Sequence, residues 1–471
     1  MHITALNLGL LGLGLVLSFV FVWLGFTVPG WGAPMAVTGL LAGLVTLVRP
    51  RAGLIILVFT MLLSPAFSLG RLGLRSIEIR FDDIMLLLIF TSWFTIAALK
   101  KMPLVGFKVP LIKPMLAYIA VAVVSSLIGL IEGRLGILPV TMYLLKYAQY
   151  YMLYYMAYHL IEDFDRSRIF LWAGLITLGA VLVFAYYMMA QGQAPYCPFD
   201  IDQGVTETAT LGGYLLIACG IMGGIALYHN HARTRLTLLA VLIFCIPPML
   251  ATTSRSTYFA AVVMIAAMIA LGKGRRVLLL LMGALIALYI APIFYKDYIK
   301  LARARVAFTF VAAGGQEVLR LGGKDVTIES SAAVRLRKWR QLRKDWIPRH
   351  PFFGYGVTGV GLCDTQIPLV IGETGLLGFA CWVAIMSGLL IRLWRVWRTT
   401  EAPLQKGLVF GLLCVYIALL VQSIGVNTFI IIRMMEPFWF LTAIAMRIYS
   451  GGVEEGQGKS AGTSAAHISR A

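Results

Sequence analysis

Long apolar stretches recur along this chain from Ile3 to Tyr449, separated by short polar segments. A membrane-spanning helix needs about 20 mostly apolar residues, because the hydrocarbon core is about 30 Å thick and offers backbone groups no water. The apolar stretches predict fourteen such helices. Their approximate ranges are 4–27, 33–48, 52–68, 82–99, 112–131, 142–160, 169–190, 209–228, 236–252, 257–271, 277–294, 366–391, 407–427 and 431–449. Because neighbouring helices with short turns are hard to count, we predict an all-α integral membrane protein with about 12–14 transmembrane helices.

The composition agrees with this fold class. Hydrophobic residues make up 60% of the chain and charged residues only 13%, whereas soluble domains carry about 25% charged residues. A soluble fold would need a core too large for the few polar residues to cover. The net charge of +19 would suggest nucleic acid in a soluble protein. In a membrane protein, Lys and Arg gather in cytoplasmic loops, so we predict no nucleic-acid partner.

The basic residues are concentrated in alternate loops, which assigns those loops to the cytoplasm. They are Arg49 and Arg51; Lys100, Lys101, Lys108 and Lys113; Arg166 and Arg168; Arg233 and Arg235; Lys273, Arg275 and Arg276; Arg392, Arg395, Arg398 and Lys406. Both chain ends then lie inside. The order predicts an N-terminal transmembrane bundle over 1–294, a large outer loop over 295–365, C-terminal transmembrane helices over 366–449 and a disordered cytoplasmic tail over 450–471.

The outer loop 295–365 has an excess of positive charge, with thirteen Lys and Arg against six Asp and Glu. Loops longer than about 60 residues largely escape the positive-inside rule, so the orientation stands. Outer loops are normally less basic than cytoplasmic ones, so the excess of positive charge in this loop still needs a cause. Binding of an anionic ligand is one such cause.

Within this loop, residues 330–347 predict an amphipathic helix at the membrane surface. Its apolar arc contains Ala332, Leu336, Trp339, Leu342, Trp346 and Ile347. Arg335 falls inside that arc, between Leu342 and Trp346 on the helical wheel. An Arg at this position either reaches lipid phosphates at the surface or points into the protein toward an anion, and both interpretations remain open.

Several other segments carry polar groups near the outer surface. The glycine-rich stretch 350–361 is either a flexible connection or a turn whose N–H groups face an anion. Arg255 lies in a tight turn between two helices, and Lys146 lies near the outer end of its helix. Both charges are placed at or just below the membrane surface, where a charge favours a functional role. Arg433 and Glu436 are spaced to pair with each other on the last helix.

The aromatic and sulfur-containing residues allow weaker predictions. Tyr143, Tyr147, Tyr150, Tyr154 and Tyr158 recur at helical spacing, which is typical of helix packing more often than of sugar binding. Cys197 and Cys363 both fall in loops that we place outside, so a disulfide between them is an open alternative. No Cys or His cluster has the spacing of a metal site, and we predict no metal and no cofactor.

Four motifs follow one another in the second half of the chain. They are a Ser-Arg turn at Ser254 and Arg255, a Ser-x-x-x-Arg-x-x-x-Trp pattern at Ser331, Arg335 and Trp339, a Pro-x-x-Gly-x-Gly segment at Pro351, Gly354 and Gly356, and a helix that opens with Glu373-Thr374-Gly375-Leu376-Leu377-Gly378. In this order they resemble the O-antigen ligase and O-antigen polymerase superfamily of bacterial membrane glycosyltransferases. The resemblance covers most of residues 80–450. Each motif alone is loose, and the common order gives them specificity.

The resemblance implies an enzyme of the bacterial inner (cytoplasmic) membrane with an active site that faces the periplasm. Members transfer a glycan from undecaprenyl pyrophosphate to a hydroxyl of a glycan or lipid acceptor, with inversion and without metal or nucleotide. Arg255 and Arg335 match the positions that stabilise the pyrophosphate leaving group, since a guanidinium stays charged and binds phosphate through two hydrogen bonds. The other predicted substrate-binding residues are Arg343, Lys146, Arg433 and His350.

One position departs from the family pattern. Ligases have a His-Asn pair nine residues before the Glu that opens the helix, whereas this chain has Asp364 and Thr365. We expect Asp364 to accept the acceptor's hydroxyl proton, or else to bind a sugar hydroxyl. The missing His favours a polymerase of O-antigen or exopolysaccharide units over a ligase.

Three alternative functions remain. They are transfer of the glycan to protein serine, a lipid-linked oligosaccharide flippase, and a scaffold in a polysaccharide-assembly complex. Transport is disfavoured because the charges named above gather on the outer side instead of at the bilayer midplane. Membrane lipids and polysaccharide-assembly proteins are the expected partners.

Overall fold

The computed structural model of the protein describes residues 41–64, 66–72, 75–99, 109–199, 201–202, 205–206, 208–272, 317–321, 324–328, 330–361 and 363–448. The predicted helices at 4–27 and 277–294 lie outside the described residues. So do the tail 450–471 and the first part of the large loop, up to residue 316.

The described part of the chain is predominantly helical. Its helices are α1 (41–48), α2 (Pro50–Leu63), α3 (Phe81–Leu99), α4 (Ile112–Ile131), α5 (Ile137–Leu160), α6 (Phe164–Ala190), α7 (Thr208–Tyr228), α8 (Ala232–Ala251), α9 (Arg255–Leu271), α10 (Ser330–Gln341), α11 (Gln366–Thr399), α12 (Pro403–Gln422) and α13 (432–448). Pro50 and Pro403 stand in the first turns of α2 and α12, where a missing N–H leaves no hydrogen bond unmade.

Seven of the described helices are long and apolar enough to cross a membrane, namely α3, α4, α6, α7, α8, α11 and α12. Large apolar side chains are exposed along several of them; Val183 is 66% exposed and Phe244 is 62% exposed. Apolar surface of this extent is suited to lipid. The chain is therefore a multi-pass, helical membrane protein, which agrees with the predicted fold class.

Strands, which the sequence analysis did not predict, form three short antiparallel hairpins. They pair β1 (Ala66–Leu72) with β2 (Arg75–Arg80), β3 (Ile201–Asp202) with β4 (Val205–Thr206), and β5 (Glu317–Leu321) with β6 (Lys324–Ile328). The first hairpin corrects the predicted helix 52–68, because the helix ends at Leu63 and the chain turns into β1 three residues later. The apolar residues that follow Leu63 fit a strand as well as a helix, and periodicity alone does not separate the two.

Close packing of glycines joins α7 to α12 at the centre of the bundle. Gly220 and Gly224 on α7 face Gly407 and Gly411 on α12, each pair being spaced by four residues. A Cβ at Gly224 would stand 2.4 Å from the carbonyl oxygen of Gly407, and one at Gly411 would stand 2.4 Å from that of Gly220. Small residues at this spacing let two helix backbones approach each other where there is no water to drive association.

Three of the predicted cytoplasmic segments meet at one end of the bundle. Glu162, between α5 and α6, forms ion pairs with Arg51 at the start of α2 and with Arg166 at the start of α6. Arg447 on α13 donates to the Glu162 carbonyl at 3.0 Å. These three segments, assigned to one side of the membrane from the sequence, thus lie together in the structure. Which end faces the cytoplasm remains a prediction from charge.

The aromatic stripe of α5 packs against neighbouring helices, in agreement with the favoured interpretation. Tyr151 and Tyr154 stand edge-on to Trp439 of α13, with ring centroids 5.2 and 5.7 Å apart. The hydroxyl of Tyr154 donates to the Pro110 carbonyl at 2.6 Å. These rings are buried and fasten α5 to the core.

The disulfide considered from the sequence is absent. Neither Cys197 nor Cys363 forms a disulfide, and both side chains are buried. The Cys363 thiol lies 3.4 Å from the hydroxyl of Thr365, two residues along the chain.

Candidate functional site

The helix α11 is interrupted inside its apolar span. Gly375 has φ 67° and ψ −169°, which is not a helical conformation. A break at this point releases the carbonyls of Gly372 and Glu373 and the N–H groups of Leu376 and Leu377, which would otherwise bond each other across one turn. In a membrane, unpaired backbone groups of this kind cost several kcal/mol each.

The chain from Pro351 to Gly361, hereafter the glycine segment, supplies a partner for all four groups. Tyr355 N–H donates to the Gly372 carbonyl at 2.8 Å, and Gly356 N–H donates to the Glu373 carbonyl at 2.9 Å. In return, Leu376 and Leu377 donate to the carbonyls of Pro351 (2.8 Å) and Phe352 (3.3 Å). The glycine segment therefore completes the hydrogen bonding of a broken helix.

Two glycines make this insertion sterically feasible. Gly354 has φ 66°, and a Cβ there would stand 2.6 Å from the Gly372 carbonyl oxygen. A Cβ at Gly375 would stand 2.3 Å from the Phe352 carbonyl. Neither position has room for a side chain, and both need the left-handed φ that glycine adopts without strain.

The contacts of the glycine segment differ from both interpretations that its sequence left open. It is not a free connection, because Gly354, Gly356 and Val357 are buried. It is also not an open nest for an external anion, because the N–H groups of residues 354–357 donate to protein oxygens. The anion that this segment binds belongs to the protein, since Thr358 N–H donates to the carboxylate of Glu373 at 2.8 Å.

Glu373 is the central residue of this arrangement. Its side chain is buried, and Tyr147 on α5 donates a second hydrogen bond to it at 2.6 Å. Ser125 on α4 bonds the Glu373 carbonyl at 2.6 Å and also the Phe353 carbonyl. Glu373 therefore ties α5, α11 and the glycine segment together, and it is a positioning residue because both carboxylate oxygens are occupied.

Removal of the hydrogen bond between Tyr147 and Glu373 should measurably lower the stability of the protein. Tyr147→Phe removes the hydroxyl and leaves a buried carboxylate with one donor fewer, which costs about 1–3 kcal/mol. Glu373→Gln should lose less stability than Glu373→Ala, because the amide can still accept from Thr358 N–H and donate to the Tyr147 oxygen. Unfolding in mixed micelles measures the stability of each variant. Equal losses for the Gln and Ala variants would contradict this account.

The Ser-Arg turn reaches the same region through buried polar contacts. The hydroxyl of Thr257 on α9 donates to Ser254 at 3.0 Å and accepts from the Gln422 amide at 3.2 Å. Next to Gln422, the Ser423 carbonyl accepts from Gln366 N–H, the first residue of α11, at 3.2 Å. The Ser254-Arg255 turn and the start of α11 are thus joined by a short chain of hydrogen bonds.

The amphipathic helix predicted over 330–347 is present and lies beside the glycine segment. It begins as α10 and continues through a π-helical turn, Leu342–Trp346, and a last turn, Ile347–Arg349. A Cβ at Gly372 would stand 2.8 Å from the Trp346 ring, and the Lys338 ammonium donates to the Val360 carbonyl at 3.3 Å. A π turn inside a helix often marks a functional site.

Both loop motifs contain a threonine in the left-handed region. Thr253 in the Ser-Arg turn has φ 53°, and Thr358 in the glycine segment has φ 72°. A β-branched residue at positive φ is uncommon and strained. Such strain persists only where the surroundings enforce it, and it occurs preferentially at binding and catalytic sites.

The structure places the predicted residues in different environments. Arg255 begins α9 and Arg335 lies on α10, and both are half-buried; Arg343 is exposed. Lys146 is half-buried, with its ammonium 5.4 Å from the Tyr143 ring. Arg255 and Arg335 therefore remain accessible enough to meet a ligand.

Two further predicted residues lie on either side of the glycine segment in the chain. Asp364 is exposed immediately before Thr365, which precedes the first helical residue. His350 is half-buried against Tyr355, with ring centroids 4.5 Å apart. Both positions suit contact with a ligand that approaches the glycine segment.

Arg433 is placed in the protein core, away from accessible surface. It is 3% exposed, and its guanidinium donates to the carbonyls of Leu62 (2.8 Å), Ser64 (3.2 Å) and Phe199 (3.2 Å). These bonds hold α13 to the end of α2, so we do not retain Arg433 among the substrate-binding residues. Glu436, its predicted partner, accepts instead from Gln149 at 2.7 Å.

The sequence analysis missed Arg134 beside the glycine segment. Arg134 lies in the short connection between α4 and α5, forms an ion pair with Glu132, and stands 5.1 Å from the centre of the Tyr355 ring. A lone basic residue between two apolar helices was the available signal. Its significance depends on the distant glycine segment, which is not evident from the local sequence.

An apolar cavity of about 120 Å³ lies elsewhere in the bundle, among α2, α6, α7, α8 and α13. None of the predicted site residues lines it, and its lining carries no charged side chain. The cavity therefore lacks the groups that would bind a pyrophosphate or a sugar.

Together, the spanning helices and the interrupted α11 define a multi-pass membrane protein with a polar site built around a helix break. No family model matches the chain, and no curated protein matches it. The function must therefore be inferred from the residues and geometry of the site.

Proposed function

We propose that this protein is a membrane glycosyltransferase that takes a glycan from a polyprenyl pyrophosphate and transfers it to a hydroxyl acceptor. Undecaprenyl pyrophosphate is the donor lipid that the motif resemblance implies. The acceptor is a growing O-antigen or exopolysaccharide chain, and the site faces the periplasm.

One observation carries the proposal: three of the four motifs contact one another at the break in α11, and the fourth, the Ser-Arg turn, is linked to the start of α11 by buried hydrogen bonds. The glycine segment fills the break in α11, the amphipathic helix packs on both, and the Ser-Arg turn reaches α11 through Thr257, Gln422 and Ser423. Arg335 and Asp364 thus belong to segments next to the interrupted helix, and Arg255 belongs to a turn linked to the start of the same helix. A common binding site is the simplest reason for such an assembly.

The chemistry of the transfer fits these side chains. The acceptor oxygen attacks the anomeric carbon while the bond from that carbon to the phosphate oxygen breaks, and the pyrophosphate leaves with the electron pair. Guanidinium groups at Arg255 and Arg335 stabilise the negative charge that develops on the phosphate oxygens. The hydroxyl proton passes to Asp364, whose exposure gives an acceptor access.

Reconstitution of the full-length protein tests the proposal directly. Purified protein in lipid vesicles is given an undecaprenyl-pyrophosphate-linked repeat unit, and products are separated by ladder gel and mass spectrometry. We expect longer glycans on the lipid and free undecaprenyl pyrophosphate. An unchanged donor would contradict polymerase activity. Transfer only when a lipid A-core or a serine peptide is added would assign a ligase or a protein oligosaccharyltransferase.

Asp364→Asn should lower the turnover number by about 10²–10⁴ while leaving the KM for the donor nearly unchanged, because general-base catalysis contributes about that factor to the chemical step. Asp345→Asn, which changes another acid of the same loop, is the control and should keep wild-type turnover. A raised KM with normal turnover in Asp364→Asn would show that Asp364 binds a sugar hydroxyl.

The orientation gives a separate prediction. Phe352 is 62% exposed, so Phe352→Cys should react with a membrane-impermeant maleimide applied from the periplasmic side. Glu401→Cys, on the exposed connection between α11 and α12, should react only after the membrane is opened. The native cysteines give little background because five are buried and the sixth is half-buried. Labelling of Glu401→Cys alone would reverse the orientation.

Transport of a lipid-linked glycan is the second candidate, and two observations favour it. The helix α11 is broken inside its apolar span, and ionisable residues are buried between α3, α5 and α13. Broken helices and buried charges are both typical of transporters. Movement of an intact donor across vesicles, without glycan transfer, would select this alternative.

A further inference from the structure

Residues 330–349, which comprise α10 and the two turns after it, carry a strong excess of positive charge. They include seven Lys and Arg against one acidic residue, Asp345. Arg335 belongs to the proposed site, and Lys338 donates to the glycine segment. Arg343, which is exposed, has no part in the proposed transfer. The remaining basic residues of this segment therefore have no role assigned so far.

Packing divides the segment into a protein-facing side and an exposed side. Ala333 and Leu342 are buried, and the ring of Trp346 lies against Gly372 of α11. Much of the apolar side predicted from the sequence is thus packed on the protein. The opposite side remains available for contact with the surroundings.

Four residues of the exposed side form a continuous surface, hereafter the basic face. Trp339 and Arg343 are four residues apart, as are Arg340 and Lys344, so each pair is adjacent on the helix. All four side chains are exposed, and Trp339 is 38% exposed. An exposed indole beside several cations is typical of a helix at a membrane interface, where the ring lies at the head groups and the cations meet phosphate.

The helix α11 indicates the depth of the basic face. Trp394 is 41% exposed and the adjacent Arg395 is exposed, as expected at one membrane boundary. Gly375 lies nineteen residues before Trp394, which is about 30 Å at 1.5 Å per residue. Because the hydrocarbon core is also about 30 Å thick, the helix break lies at the opposite boundary. The segment that packs beside this break through Trp346 is then at head-group level.

We propose that the basic face binds the phosphate groups of anionic phospholipids in the leaflet that surrounds the helix break. Arg343 then contacts a lipid phosphate and not the glycan donor. The exposed ring of Trp339 favours a lipid over an acidic polysaccharide, since it needs an apolar layer beside the anion. The proposal does not depend on glycosyl transfer, so its failure would leave the proposed function standing.

Lipid quenching in vesicles that contain the full-length protein tests the proposal. A bimane fluorophore is attached to Gln341→Cys, an exposed position next to Arg340. The vesicles share one fraction of unlabelled anionic lipid and differ in a nitroxide-labelled lipid, either phosphatidylglycerol or phosphatidylcholine, with the nitroxide at the same acyl carbon. We expect phosphatidylglycerol to quench at least about threefold more, because each basic residue near the surface attracts anionic lipid. The preference should shrink in about 1 M salt, which screens charges beyond about 3 Å.

A pair of double variants shows whether the basic face causes the preference. Arg343→Gln with Lys344→Gln should lower the quenching ratio of the two lipids to below about half its wild-type value. Arg233→Gln with Arg395→Gln removes the same net charge from segments assigned to the cytoplasm, and it should keep the ratio. Equal quenching by both lipids in the wild type, or an equal fall in both double variants, would overturn the proposal. Shielding of the bimane by a soluble acidic polysaccharide, without quenching by either lipid, would overturn it and assign the basic face to a glycan.

Discussion

Arg335→Ala and Arg255→Ala are each expected to lower glycan transfer by at least about 10²–10³, the factor lost when one preorganised donor to a developing anion is removed. The physical reason is that these two guanidinium groups are the ones proposed to stabilise the negative charge that develops on the leaving pyrophosphate. The measurement is the rate of release of undecaprenyl pyrophosphate in the reconstituted assay. Lys at either position should recover part of the rate, because an ammonium retains the charge but not the two-pronged geometry.

The helix α10 offers a matched control for this experiment. Arg337 is exposed and lies two residues from Arg335, on another side of the same helix. Arg337→Ala removes the same charge from the loop and should keep the wild-type rate. Equal losses for Arg335→Ala and Arg337→Ala would mean that the loop contributes only general positive charge. Normal transfer by Arg335→Ala would remove that residue from the site.

Gly375→Ala and Gly354→Ala are expected to destabilise the protein by about 3 kcal/mol or more. Left-handed backbone costs about 1–2 kcal/mol for a residue with a side chain, and overpacking adds about 1–3 kcal/mol. In both variants the new methyl group would meet backbone at 2.6 Å or less, and backbone cannot rotate away as a flexible side chain can. Unfolding in mixed micelles measures the loss, and the variants should lose transfer activity as well.

Gly133→Ala separates the two contributions. Gly133 has φ 68°, nearly the same as Gly375, but a methyl group added there would have nothing within 4 Å of it. This control carries the backbone strain without the clash, so we expect a loss of only about 1–2 kcal/mol. If Gly133→Ala and Gly375→Ala were equally unstable, the packing of the glycine segment into the helix break would not be the source of the effect.

The Arg255 and Arg335 variants test the catalytic role of the side chains, whereas the Gly354 and Gly375 variants test the packing of the scaffold. The Arg variants should remain as stable as the wild type while losing transfer, since Arg255 and Arg335 are half-buried and not in the core. The Gly variants should lose stability first. A protein in which both pairs behaved alike would not have a catalytic site separable from its scaffold.

Much of the fold follows from the sequence because a bilayer leaves few choices. Backbone groups in hydrocarbon must bond within their own segment, so an apolar stretch of sufficient length becomes a helix. The predicted helices at 82–99, 112–131 and 209–228 agree closely with α3, α4 and α7. Helix ends were less well predicted at polar margins; α5 begins at Ile137 and α6 at Phe164, about five residues before the predicted starts.

The candidate site was predictable as a set of motifs but not as a structure. The order of the Ser-Arg turn, the amphipathic helix, the glycine segment and the helix with Glu373 is visible in the sequence. The sequence alone suggested that the glycine segment was a free connection or an anion nest. Its actual partners lie on α4, α5 and α11, and hydrogen bonds between segments as distant as Ser125 and Glu373 leave no local pattern.

The sequence by itself determined that this chain is a helical membrane protein, where most of its spans lie and which residues are candidates for chemistry. Apolar length and charge are local properties, and the bilayer acts on them directly. Only the tertiary structure decided that Arg433 is a core residue and that Gly354 and Gly375 allow the glycine segment to fill a helix break. These outcomes depend on which backbone and side-chain groups meet after packing, because in a membrane every buried polar group must find a partner, and that partner is rarely its neighbour in the chain.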